Sequence, residues 1–190
     1  MSTRSLTAVV KNKEFKVAQY CQTFGGPTTQ GLIALEFLLN NNLSLFSLNV
    51  DYLSTLEDAY SSIIEQQRNG IDIKHVNGID IRYYISDITI DTGAKILNGI
   101  YTGVIKRVKL DTEFANDSLC CEWCYLIDLD KMRFEIYKGF NKKKLSKNDR
   151  FYINDDDSPN GYYPVKKIKT YDLYNLPTIN SFLERMKYYL

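Results

Sequence analysis

The chain has one histidine, His75, so any Ser-His-Asp or Cys-His scheme must rest on that residue, and no nucleophile is tied to it by spacing. A phosphate-loop lysine motif is missing, and no Gly-x-Gly-x-x-Gly follows a strand-like run. These absences exclude the common nucleotide-fold fingerprints, and no cofactor is expected. No apolar run approaches the roughly 20 residues of a membrane span, and the start Met-Ser-Thr-Arg-Ser lacks the apolar core of a signal peptide. A cytoplasmic protein without membrane contact is the expectation. An excess of one charge is also missing: 24 basic residues face 23 acidic ones, a net +1. The global field therefore steers nothing, although a local basic patch can still release counterions from a nucleic acid. Cysteine is scarce, with Cys21, Cys120, Cys121 and Cys124 expected as reduced thiols. Cys121 and Cys124 have zinc or redox spacing, but in a regular strand an odd separation places them on opposite faces. Buried thiols and no metal are predicted.

What is present reads as one α+β domain spanning 1–190. A hydrophobic fraction of 44% and an aromatic fraction of 13% supply a core of domain size, and no linker interrupts the chain. Residues 5–10 and 15–21 are apolar and β-branched around a polar turn, which predicts an N-terminal hairpin with Phe15, Val17 and Gln19 on one side and Ala18 and Tyr20 on the other. Tyr20 to Gly31 then turns on Gly25, Gly26 and Pro27 and opens a helix carrying Leu32, Leu35, Leu38 and Leu39, with Asn40 to Asn42 as its stop. Such a helix start exposes unpaired N–H groups to an anion, but glycines that only permit the turn are the stronger reading of the pattern.

A second helix is predicted over 51–68, and a short hairpin around Asn77-Gly78 within 71–90. Between 92 and 110 a helix gives way to a strand near Val104. A second clear hairpin runs through 119–128 and 132–137, turning at Asp130 and Lys131. Residues 139–161 form a polar loop with Lys142, Lys143, Lys144, Lys147 and Arg150, followed by Asp155, Asp156 and Asp157. A strand over 162–170 carries Lys166, Lys167 and Lys169, and a helix starting at Pro177 closes the chain. The predicted fold is an antiparallel sheet built from β-hairpins and covered by three or more helices.

Three residues carry candidate chemistry. Ser2 would become the amino terminus on loss of Met1, the layout of N-terminal-nucleophile amidohydrolases. Glu122, and Asp128 with its neighbour Asp130, could hold a hard cation for a metal-dependent nuclease, although Asp at a turn commonly caps its own backbone. None of these forms a complete catalytic set, so an enzyme is the alternative rather than the leading expectation.

The stretch Ala18-Gln19-Tyr20-x-Gln22-x-x-Gly25-x-Pro27-x-x-Gln30-Gly31, preceded by Thr3-Arg4-Ser5, resembles a family of small phage, prophage and bacterial proteins. Gly93-Ala94-x-Ile96-Leu97, Cys121-Glu122-Trp123-x-Tyr125-x-Ile127-Asp128 and Glu135-x-Tyr137-x-Gly139-Phe140 extend the likeness. Where that family has a Trp-Asp-Gly-Tyr-Pro-like loop, this chain has Phe24-Gly25-Gly26-Pro27, so the acidic residue and the tyrosine are both gone. The resemblance implies a phage or mobile-element context and a shared fold more than a shared reaction. With the absent catalytic sets and the 15 tyrosines, which interfaces favour, it implies a protein that binds a macromolecular partner. A host protein or ribonucleoprotein complex is the expected partner, with inhibition of a defence complex, anti-CRISPR-like, as the expected role. Tyr20, Gln22, Gly25, Pro27 and Gly31 are the candidate binding residues of the loop, and Lys142, Lys143, Lys144 and Lys147, with Lys166, Lys167 and Lys169 of the following strand, those of a nucleic-acid contact.

Overall fold

Two hairpins lie side by side in one sheet. The computed structural model describes residues 2–55, 88–154 and 161–190, and the backbone of 75–76 and 79–80. Strands β1 (Ser5–Lys11) and β2 (Glu14–Cys21) form the first hairpin. Short strands follow at β3 (Ser54–Thr55), β4 (His75–Val76), β5 (Ile79–Asp80) and β6 (Arg107–Val108). β7 (Trp123–Asp128) and β8 (Arg133–Lys138) form the second hairpin, and β9 (Lys166–Asp172) adds to it. Among the described residues the main sheet has five strands in the order β2-β1-β7-β8-β9. Three of its pairings are antiparallel, but β1 and β7 run parallel, so the sheet is mixed rather than antiparallel throughout.

Helices cover one face. α1 (Leu32–Asn40) continues a π-helical turn, Pro27–Gly31, so the helical path begins at Pro27 and not near Gly31. The three asparagines predicted as a stop also start the next helix. Asn40 and Asn41 side chains donate back to the Glu36 and Phe37 carbonyls, while Asn42 Oδ1 accepts from the Ser44 and Leu45 N–H groups and caps α2 (Leu43–Asp51). Only the start of the predicted 51–68 helix falls on described residues, and it is not helical beyond α2: α2 ends at Asp51, Ser54–Thr55 is a strand parallel to β6, and 56–68 lies outside the described residues. α3 (Ile96–Tyr101) buries Ile96, Leu97 and Ile100 and gives way to β6, as its spacing predicts. α4 (Ile179–Met186) is capped by Thr178, which leaves Pro177 outside the helix. β4 and β5 pair antiparallel across the predicted Asn77-Gly78 turn, which itself lies outside the described residues. Among the described residues no single helix is long and apolar enough to cross a membrane. The bent pair of α1 and α2 buries Leu35, Phe37, Leu38, Phe46 and Val50 in the core.

Alternation along the central strands builds two cores. Val9, Val17, Trp123, Tyr125, Ile127, Phe134 and Ile136 meet the helices, where Phe182 of α4 is fully buried. Leu6, Ala8, Ala18, Cys124, Leu126 and Tyr137 face the other way and are covered by Ala115, Leu145, Phe151 and Val165. The 139–161 loop is thus partly a core layer, not only a solvated polar stretch. Two side assignments change for local reasons. In β2 the register slips between Val9 and Val10, so Lys16 is an extra residue and Phe15 turns to the second face, stacking on Phe151 at 5.9 Å. Cys121 precedes the strand that begins at Trp123, so strict alternation does not apply and it joins Cys124 in the second core.

Phe182 is the main apolar anchor of α4, so Phe182→Ala is expected to cost about 3–5 kcal/mol, read as a lowered midpoint in urea denaturation.

Candidate functional site

One row of paired residues crosses the end of the sheet: Cys21 opposite Ser5, Ser5 opposite Trp123, Trp123 opposite Lys138, and Lys138 opposite Lys166. At about 4.8 Å per strand the row spans roughly 19 Å. It brings the Tyr20–Gly31 stretch and the start of the basic loop to the same end of the molecule.

On the β2 side, Gly25 and Gly31 serve close packing. A Cβ on Gly25 would lie 2.6 Å from the Arg4 carbonyl carbon, and one on Gly31 would lie 2.7 Å from the Tyr125 ring. The Tyr125 hydroxyl donates to the Gly25 carbonyl at 2.9 Å, and the Gly25 N–H donates to Thr3 O at 2.8 Å. Pro27 occupies the first helical turn, where its missing N–H costs nothing. Gln22 keeps its side chain in solvent while its N–H donates to Ile90 O. Tyr20 is half-buried against Phe114 in an edge-to-face contact at 4.8 Å, and burial raises its hydroxyl pKa against the opposing charge of Arg4. A cleft of about 570 Å³ opens beside it, walled by Tyr20, Val104, Lys106 and Phe114. Between these residues Phe24 projects into solvent, 74% exposed, with φ at +54°.

On the β8 side, Lys138 Nζ lies 4.0 Å over the Trp123 ring. Burial lowers its pKa, opposed by the nearby charge of Glu122. The chain then turns through Gly139, Phe140 and Asn141. Gly139 donates to Glu122 O, Phe140 to Ser118 O at 2.7 Å, and the Asn141 N–H to Ser118 Oγ. Asn141 Nδ2 reaches Pro164 O at 2.9 Å, which fastens this turn to the approach of β9. The turn holds Phe140 at φ +54° with 46% of its surface exposed. Left-handed backbone costs a bulky side chain about 1–3 kcal/mol, which glycine or asparagine would largely avoid. Phe140 packs edge-on against Tyr162 at 6.3 Å, and Lys142 Nζ lies 5.4 Å over that same tyrosine. Lys142, Lys143, Lys144 and Lys147 are exposed, with Lys147 farther along the loop toward Arg150.

The loop is pinned from beneath by buried charge. Arg150 pairs with Asp128 and, at 3.3 Å, with Glu135; Lys167 reaches Glu135 at 3.1 Å, and the Tyr137 hydroxyl donates to Glu135 at 2.6 Å. Asp128 and Glu135 are each 1% exposed. Burial alone would raise the Glu135 carboxyl, but hydrogen bonds from Tyr137 and Lys167 and the charge of Arg150 outweigh it and hold the pKa below the ordinary value. Burial and the same carboxylate raise the Tyr137 hydroxyl. Of the strand lysines named for contact, Lys167 is therefore engaged internally, while Lys166 is exposed on the row.

The catalytic candidates do not assemble. Glu122 accepts from the Arg4 N–H near the row, whereas Asp128 stands at the far end of β7, about 20 Å along the strand, so one ion cannot reach both. Asp128 accepts from the Lys131 N–H, and Asp130 accepts from the Asn12 and Lys13 N–H groups at 2.7 Å, the capping role of turn aspartates. Ser2 Oγ donates to Gln22 O at 2.6 Å, which commits its proton to a carbonyl. Burial raises the thiols of Cys121 and Cys124, which favours inert neutral sulfur. Among the described residues no three His, Cys, Asp or Glu side chains converge in a metal-binding arrangement. The His75 side chain and Asp155 to Asp157 lie outside the described residues.

Sequence reading overlooked Phe24, Lys138, Phe140 and Tyr162 as site residues. The signal for Phe140 was a turn written as Gly-Phe-Asn, where a large apolar side chain is out of place. Comparison with family models, with curated proteins and with solved structures finds no match to this chain.

Two outcomes follow for stability. Phe140→Gly relieves the left-handed strain while giving up a half-exposed ring, so the thermal midpoint should stay level or rise by the equivalent of up to about 1 kcal/mol. Glu135→Gln takes one of two carboxylates from Arg150 and the carboxylate partner from Lys167, and should cost up to about 3 kcal/mol at neutral pH, because Asp128 still compensates Arg150. Because the folded pKa is depressed, the carboxylate's contribution is complete above 4.5 and is lost as pH falls through the folded value. The gap between wild type and Glu135→Gln in urea should therefore narrow on acidification below that point.

Proposed function

We propose that the chain is a non-enzymatic accessory protein of a phage or other mobile element. It acts in the cytoplasm of the bacterial host by binding a macromolecular partner. The partner in this reading is a host protein or ribonucleoprotein defence complex, which the protein inhibits in the manner of an anti-CRISPR protein. One observation carries the binding reading: the Tyr20–Gly31 stretch and the basic loop, more than 100 residues apart, converge on one end of the sheet. That end displays two exposed phenylalanines on left-handed backbone. Exposed aromatic side chains held by a rigid scaffold are what an interface uses, since they bring contact area at little cost in conformational entropy. The scattered positions of Ser2, Glu122 and Asp128 favour binding over hydrolysis, and the family resemblance supplies the phage context.

Affinity capture of the tagged protein from its bacterial host, with mass spectrometry and nucleic-acid sequencing of the retained material, tests the reading. A stoichiometric protein or ribonucleoprotein should be retained by the wild type and lost from a Phe24→Ala/Phe140→Ala variant that still folds. A preparation without partner, together with no effect on a reconstituted defence complex, refutes it.

A further inference from the structure

Resting on this binding reading, we propose that the Lys138 side of the row is a platform for single-stranded nucleic acid, with Phe140 stacking on a base and Lys142, Lys143 and Lys166 taking flanking phosphates. The side chains combine the two elements such a platform needs. A ring is presented to solvent: Phe140 is 46% exposed, braced edge-on by Tyr162 and carried on a turn whose consecutive N–H groups are all bonded. Cations surround it. Lys138 Nζ lies 5.8 Å from the Phe140 ring, Lys142 lies across Tyr162, and the Lys143 N–H is fixed by Asn141 Oδ1 at 3.0 Å. Lys166 enters from β9, paired in register with Lys138. Among the described residues, Glu122, beside the row, accepts from the Arg4 N–H, and Asp149 is held by Ser146.

Chemistry selects the ligand class. Stacking requires a base with a free face, which a duplex hides and a single strand offers, and it tolerates any sequence. The cations beside the ring are lysines, point charges that can follow successive phosphates. Phe140 moreover stands on left-handed backbone, in a turn that holds its ring at the surface beside these amines.

Fluorescence anisotropy of the whole chain with labelled oligouridylate, oligothymidylate and the corresponding duplex tests the proposal, with polyglutamate as competitor. Both single strands should bind, more tightly than duplex, and polyglutamate at matched charge should not displace them. Phe140→Asn, which suits the left-handed turn, should lower affinity about tenfold with an unchanged salt slope. Lys142→Gln/Lys143→Gln/Lys166→Gln should reduce the slope of log K against log salt by about 2, near 0.7 for each phosphate contact. Failure of both strands to bind, displacement by polyglutamate, or wild-type affinity in Phe140→Asn overturns the proposal. If the strands fail to bind while capture retains a protein partner, the platform falls and the binding reading stands. If the strands bind but capture retains no host complex, the platform stands alone.

Discussion

The parallel pairing of β1 with β7 is the contact on which everything else depends. It joins two hairpins, each stable only in company, into one sheet, and it buries both central strands on both faces. Parallel strands cannot be linked by a tight turn, so the chain between them has to leave the sheet and return. α1, α2 and α3 are made in that excursion and pack on one face, while Ala115 of the same excursion covers the other. The pairing also sets the level of the two hairpins relative to each other. Shifted by two residues it would still bury the same side chains, but Ser5 would no longer stand beside Trp123.

The opposite face is organised by charge rather than by helices. Arg150 reaches beneath its own loop to two carboxylates on neighbouring strands, and Leu145 and Phe151 fill the space beside it. Buried ion pairs contribute little net stability when desolvation is included, but they penalise alternatives, because a displaced loop would take from Asp128 and Glu135 the guanidinium that they share. This specificity gives an irregular segment a fixed path. The lysines at its start are therefore exposed on a fixed base.

The two ends of the sheet differ in character. At the Asp130 end, side-chain oxygens cap the turn of the neighbouring hairpin, and polar groups are consumed in closing the fold. At the Lys138 end, Phe24 and Phe140 are exposed on left-handed backbone, a conformation that Asn12, Lys13 and Met132 adopt in the turns of the Asp130 end.

Local pattern determined much of this protein. Alternating apolar residues specify both hairpins, 3.6-residue spacing specifies α1 and α4, and the Asn40 to Asn42 run marks a helix end, because each depends only on neighbours within a few residues. Where local periods compete, pattern was insufficient: the bulge at Lys16 and the late start of β7 at Trp123 reverse the faces of Phe15 and Cys121, since strict alternation cannot anticipate an extra or unpaired residue. The residue types of the binding candidates were legible, as glycines and lysines in two separate stretches. Their union at one end of the sheet was not. That depends on a parallel register between residues more than 100 positions apart, fixed by the fit of both faces of two fully buried strands, and only the tertiary structure decides it.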